Sequence, residues 1–355
     1  MAEGSTAAVS DSPLVGVLRQ ARSALAGDVG GTLFTALGAL GILILIKLGF
    51  DNPSQFFQIL LYGLTDGALY ALVALGYTMV YGIIELINFA HGDIFTLGSF
   101  VALPIFAIMG VDEGQGFGFR IILALVITYL AVMVINGAVN VSIERIAYRP
   151  LRNAPRLAPL ITAIGMSFVI EGLMYIWRGP VTLHFPDLLP ETSWNLGAIR
   201  IGLKDVFVMV LSILLVTALT LFVNRSKLGK AMRATAQDRD AAQLMGIDIN
   251  RTISATFFIG AILAGAGGVT WGLYFNNVRF DLGFNAGLIA FTAAVLGGIG
   301  NIQGAALGGL LIGIIAAYSD AYISPLWTPV VVFGLLIMIL VFRPTGLLGM
   351  RVPEK

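Results

Sequence analysis

A chain of 355 residues that is 57% hydrophobic and only 12% charged cannot be an ordinary water-soluble domain, because such domains run nearer a quarter charged. Its formal net charge of +1, with the basic residues in short loops between apolar runs, gives no reason to invoke nucleic acid. It has no cysteine, which excludes disulfides and thiol chemistry, and only two histidines, His91 and His184, so neither a zinc site nor any other metal or cofactor is expected.

Residues 1–31 are small and polar and predict a flexible cytoplasmic tail. The run at 32–50 is long and lacks a small-residue cleavage site, so it reads as an extra transmembrane span and not as a signal-peptide core. Further apolar runs follow at about 57–82, 94–110, 120–143, 159–177, 205–223, 252–275, 285–299, 303–321 and 327–342. Most are near the length that a helix needs to cross hydrocarbon. In lipid the backbone must satisfy its own hydrogen bonds, and uninterrupted runs fit helices better than alternating barrel strands. The expected fold is an all-α polytopic bundle of about ten membrane segments, including short broken or re-entrant helices.

Two interruptions stand out. The first is Ile87-Asn88-Phe89-Ala90-His91-Gly92-Asp93. An ionised side chain near the bilayer centre costs about 2.5–3.5 kcal/mol, so such residues normally face a bundle interior or a watery path. The second is the turn Gly297-Gly298-Ile299-Gly300-Asn301-Ile302-Gln303-Gly304. Paired broken helices in two halves of a transporter often mark a central site. Glu85, Asn88, His91, Asp93 and Asn301 are therefore the substrate-path candidates. Against that stands a structural reading, in which His91 and Asp93 hold a helix break by hydrogen bonds and Asn88 caps the following helix. Asp66 and Glu171 lie inside apolar runs and call for a polar partner or a proton. Glycines four apart, at 63 and 67, at 300, 304 and 308, and at 309 and 313, predict close helix crossings.

Orientation follows from the basic residues. Arg145, Arg149, Arg152 and Arg156 crowd one loop, while Arg225, Lys227, Lys230, Arg233, Arg239 and Arg251 crowd another. Placing both loops in the cytoplasm puts both termini there too. Arg149 and Arg152 would meet lipid phosphates or a partner, and Glu144 and Arg145 would mark the end of a span. The hydrophilic stretch at 225–250 predicts a short amphipathic helix with Leu228, Met232, Ala236 and Leu244 on one stripe and Gly246 as its stop. Such a helix lies on the membrane or docks onto a partner.

Within it, Asp240-Ala241-Ala242-x-x-x-Gly246 resembles the Glu-Ala-Ala-x-x-x-Gly loop by which importer permeases of the ABC class engage their ATPases. Asp stands in place of Glu, and the usual downstream Ile-x-Leu-Pro is absent. The stretches from Tyr70 to Ile83, Ile87 to Asp93, Ile143 to Arg152, Phe291 to Gly300 and Pro344 to Gly349 are similar to branched-chain amino acid ABC permeases of the LivH type, in the family's order over about residues 57–350. The tail and the span at 32–50 are additions to that pattern.

The resemblance implies a transmembrane permease domain at 57–350 in the bacterial cytoplasmic (inner) membrane, with a coupling loop at 225–250. It also implies a LivM-type second permease, two ATP-binding cassette ATPase subunits and an extracytoplasmic substrate-binding protein. Gly229, Arg233, Asp240, Ala241, Ala242 and Gly246 become the ATPase-coupling candidates. No Gly-x-x-x-x-Gly-Lys-Ser/Thr phosphate loop is present, so ATP hydrolysis falls to another chain and no catalytic residue is expected here. Urea or short amides are the alternative cargo. A proton-coupled carrier relaying through Glu85, His91, Asp93 and Glu171 is the alternative mechanism.

Overall fold

The computed structural model describes residues 51–349 apart from 86, 153, 156, 198 and 344, together with positions 47 and 49. The predicted tail lies outside the described residues, as does the predicted span at 32–50 except for those two positions.

Nine apolar helices follow one another among the described residues, and each corresponds to a predicted span. They are α1 (Pro53–Ile84), α2 (Ala90–Ile108), α3 (Phe119–Ile143), α4 (Leu157–Arg178), α5 (Leu203–Arg225), α8 (Ile249–Phe275), α9 (Leu282–Gly297), α10 (Ile302–Tyr322) and α11 (Thr328–Phe342). Between α5 and α8 lie two short polar helices, α6 (Lys227–Gln237) and α7 (Arg239–Leu244). Seven of the nine are long and apolar enough to cross a membrane. At 16 and 15 residues, α9 and α11 are shorter, and at about 1.5 Å per residue neither reaches across a full hydrocarbon core. Among the described residues, strands are confined to two small antiparallel pairs, β1 (Leu183–His184) with β4 (Asn277–Val278) and β2 (Ser193–Leu196) with β3 (Ile199–Gly202).

The centre of the bundle is built on α1 and α8. In each, 78% of the most apolar window is buried, against 28% for α4 and 22% for α5. The central helices are therefore read for packing and the outer two for lipid. Association in lipid lacks a hydrophobic driving force, so it depends on backbones approaching closely over small residues. A methyl group on Gly67 would stand 2.7 Å from Leu310 Cα, and one on Gly313 would stand 2.2 Å from Gly67 Cα. That is the α1–α10 crossing, where the predicted glycine pairs pack. Gly92 meets the Gly283 carbonyl in the same way where α2 crosses α9, and Gly268 meets that of Phe95 where α8 crosses α2.

Two expectations are corrected. Helix α2 begins at Ala90 and not near 94, so His91, Gly92 and Asp93 form its first turn and the break shrinks to residues 85–89. Keeping those backbone groups helical satisfies them internally, and Asp93 in the first turn suits the positive end of the helix dipole. The second correction concerns the single amphipathic helix expected within 225–250. It is two helices, divided at Asp238, whose side chain accepts from the amides of Asp240 and Ala241 and restarts the chain in a new direction.

Candidate functional site

The break after α1 is set by Glu85, which is exposed and takes φ 54° while its amide still reaches the Tyr81 carbonyl at 2.8 Å. Asn88 is buried, and its side-chain oxygen accepts from the Tyr148 hydroxyl at 2.7 Å. It does not cap α2 through its side chain. Phe89 holds the N-cap position, and the Asn88 backbone carbonyl takes the His91 amide at 3.0 Å.

His91 and Asp93 are fully buried. The His91 ring fills the space left by Gly76, where a Cβ would lie 2.0 Å from Nε2, and it meets the edge of Tyr77 at 4.9 Å between centroids. Asp93 Oδ2 accepts from Ser167 of α4 at 2.5 Å.

The second break lies between α9 and α10. Gly298 and Gly300 take φ 107° and 90°, conformations that favour glycine. Asn301 caps α10 by accepting from the Gly304 amide at 3.1 Å and donates to the Leu348 carbonyl at 2.8 Å. The two breaks touch, since a methyl group on Gly82 would stand 3.1 Å from Gly300 Cα. Beside that contact is a narrow apolar cleft of about 10 Å³, lined by Tyr77, Tyr81, Ile87, Phe291, Ala294 and Ile299. Of the predicted path residues, Glu85 is exposed, Asn301 half-buried, and Asn88, His91 and Asp93 are packed between helices. The cleft-lining residues were missed because, one by one, they look like any apolar span. Their position flanking both breaks was the available signal.

The coupling candidates divide in two. Gly229 is buried, and a Cβ there would stand 2.1 Å from the Val223 carbonyl, so it lets α6 fold back on the end of α5. Arg233 donates to that same carbonyl, and Ala242 is buried. Asp240, Ala241 and Gly246 are exposed. Gly246, at φ 85°, ends α7, with the Ile247 amide returning to the Ala242 carbonyl at 3.0 Å, a glycine-terminated helix stop. Leu244 does not join the Met232 stripe: Met232 is buried, whereas Leu244 and Met245 are 89% and 83% exposed. Arg239, at the start of α7, donates to the Ile83 carbonyl at 3.1 Å.

At the same end of the bundle, α3 continues through a π-turn (Glu144–Tyr148) and a 3₁₀ turn (Arg149–Leu151). Glu144 is fully buried and accepts from Arg149 at 3.1 and 3.2 Å, from Arg152, and from Ser254 at 2.6 Å. Arg149 also reaches Ser254 at 2.8 Å, and Arg152 reaches Asn250 at 2.7 Å. Arg149 and Arg152 thus turn inward onto α8 and Glu144, while the Arg149 side chain keeps 36% of its surface exposed. A carboxylate buried this deeply needs paired, hydrogen-bonded partners, and it has them.

At the opposite end, Glu113 accepts from His184 and from the Asp187 amide at 3.0 Å. Those hydrogen bonds, His184 first, hold its carboxyl below its ordinary range. Lys204 joins Asp187 at 2.9 Å and Asn276 at 2.8 Å. Among the described residues no group of three His, Cys, Asp or Glu could hold a metal ion.

Seven apolar helices long enough to span, with two interrupted segments meeting inside them, define a polytopic helical membrane protein. A family model described as branched-chain amino acid transport system / permease component matches residues 59–341, and the chain belongs to that family. It is 44% identical over 310 residues to the high-affinity branched-chain amino acid transport system permease protein BraD of Pseudomonas aeruginosa, covering 85% of this chain and 98% of that protein. It is 42% identical over 308 residues to the corresponding LivH protein of Escherichia coli K12, covering 84% and 97%. A probable branched-chain amino acid transport permease protein of Methanocaldococcus jannaschii is 28% identical over 299 residues, covering 79% and 89%. Among solved structures, a chain of PsaBC from Streptococcus pneumoniae in complex with Fab aligns with a TM-score of 0.42 at 14% identity, covering 86% of this chain and 97% of that one.

Proposed function

We propose that this chain is a permease subunit of an ATP-driven bacterial importer for branched-chain amino acids. In this reading it shares the translocation path with a LivM-type second permease, is driven by two ATP-binding cassette ATPase subunits, and receives cargo from an extracytoplasmic binding protein. The observation that carries it is the 42–44% identity, over almost their full length, to permeases named for that cargo. Those relatives give urea, short amides or a proton-coupled mechanism no support. The protein would sit in the inner membrane with both termini in the cytoplasm, on the strength of the basic loops.

The segment from Ser226 to Asp248 would be the ATPase dock. Leu244 and Met245 are large apolar side chains left exposed on a polar segment outside the spans, which suits an apolar partner groove. Asp240, Ala241 and Gly246 would face that partner, and Gly229 and Ala242 would shape the segment from within.

The test is leucine uptake into proteoliposomes holding the assembled importer, with binding protein outside and ATP inside. ATP-dependent uptake that excess urea leaves untouched is the expected result. Uptake that follows a proton gradient and ignores ATP overturns the reading. Asp240→Arg and Gly246→Pro should insert normally yet uncouple hydrolysis from uptake, since proline cannot adopt the positive φ at 246.

A further inference from the structure

The break at residues 85–89 is held on both of its lips. On the α1 side, Arg239 donates to Ile83, the penultimate residue of that helix. The last four carbonyls of a helix have no partner within it, and a guanidinium there also meets the negative end of the helix dipole. On the α2 side, the Tyr148 hydroxyl donates to Asn88.

Both grips lead back to one place. Arg239 is the first residue of α7, inside the docking segment. Tyr148 ends the π-turn that Glu144 opens. The Glu144 clamp is fixed to Ser254 and, through Arg152, to Asn250, in the first two turns of α8. That helix begins where the docking segment ends, at its cap Asp248. Between the two grips lies Ile87, which with Tyr81 of α1 lines the apolar cleft against Phe291 and Ile299.

We propose that Arg239 and Tyr148 are positioning residues that grip the two lips of the helix break and carry movement of the docking segment to an apolar gate formed by Tyr81, Ile87, Phe291 and Ile299. The proposal rests on the importer reading above and adds the route by which the dock reaches the path. A few non-helical residues can absorb the φ and ψ changes of such a movement while the flanking helices stay rigid. An aliphatic and aromatic constriction excludes water and ions while closed. When parted, its walls suit the branched aliphatic side chain of the cargo.

The chain contains no cysteine, so Ile87→Cys gives it a single thiol at the gate, and labelling can be read on this chain's own gel band. The measurement is the rate of maleimide modification at position 87 in the assembled importer, with and without ATP and vanadate, alongside ATP hydrolysed per leucine carried. Losing one charge-assisted hydrogen bond shifts an equilibrium roughly tenfold. ATP should therefore change the labelling rate about tenfold in Ile87→Cys alone, and by less than about twofold once Arg239→Ala is added. ATP used per leucine should rise in step. Tyr148→Phe, which removes one hydroxyl, should do the same and carries the test if Arg239→Ala fails to assemble.

A labelling rate that responds to ATP as strongly in both variants as in their parent overturns the proposal, as does a parent that shows no response while transporting leucine. A parent that hydrolyses ATP and switches its labelling but carries no leucine leaves the gate standing and refutes the cargo.

Discussion

Gly82, near the end of α1, lies directly against Gly300 in the turn between α9 and α10, and this contact is where the two interrupted segments meet. A Cβ on Gly82 would crowd Gly300 Cα at 3.1 Å, whereas one on Gly300 would meet Gly82 Cα at an ordinary 3.8 Å. Gly300 itself holds φ 90°, a conformation that costs an L-residue about 1–2 kcal/mol. Gly300→Ala should lower the thermal midpoint of the purified protein, and Gly82→Val should do so by forcing the breaks apart. Gly165→Ala is the control. Nothing lies within 4 Å of a Cβ at that position in α4, so it should be neutral or slightly stabilising through helix propensity. Equal midpoints for all three variants would show that the contact contributes nothing.

Glu144 concentrates more polar bonding than any other buried side chain in the site. Replacing it with glutamine would strand Arg149 and Arg152 against a neutral amide. Breaking a fully buried pair from one side costs about 3–5 kcal/mol, and because Arg149 and Arg152 keep 36% and 18% of their side chains exposed, solvent screens part of that cost here. Glu144→Gln should therefore destabilise, and adding Arg152→Gln should recover part of the loss. A double-variant cycle on thermal midpoints checks this, and strictly additive losses would contradict it.

The spans were legible because an apolar run of about twenty residues has few alternatives in lipid. The first break was harder to place. Hydropathy registers Ala90-His91-Gly92-Asp93 as polar, yet the backbone there stays helical and the side chains are absorbed by partners remote in sequence, His91 by Gly76 and Asp93 by Ser167. Spacing likewise put Leu244 on a stripe with Met232, but the capping turn at Asp238 rotated it outward. The pairing of Tyr148 with Asn88, 60 positions away, leaves no local trace. Periodicity reports what one helix presents, and the site depends on which helices cross.

A tie at the opposite end responds to pH. Glu113 joins the α2–α3 connection to the α4–α5 connection through His184 and the Asp187 amide. Its carboxyl is held below the ordinary value of 4.5, chiefly by the His184 hydrogen bond. A depressed carboxyl stabilises above its ordinary pKa, and that contribution is lost as pH falls through the lowered one. The protection of the Asp187 amide, its exchange rate relative to the intrinsic rate at the same pH, should therefore be high at neutral pH and be lost only as pH falls below the ordinary carboxylate range. In Glu113→Ala that protection should be low throughout, and identical pH profiles for the two proteins would refute the assignment.

His91 admits a sharper test of whether it performs chemistry or fills space. Its ring occupies the volume that a Cβ on Gly76 would need. Gly76→Ala alone should overpack the α1–α2 contact, at a typical cost of about 1–3 kcal/mol. His91→Ala alone should leave a cavity and destabilise as well. The two changes are complementary in shape, since the added methyl group points into the vacated site, so the double variant should be more stable than the sum of the single losses predicts. Leucine uptake then separates the two roles. If the imidazole only holds the helices apart, uptake should recover along with stability in the double variant. If it contacts cargo or moves a proton, stability should recover while uptake stays lost. The buried position between Gly76 and the Tyr77 ring, with no face on the cleft, favours the first outcome.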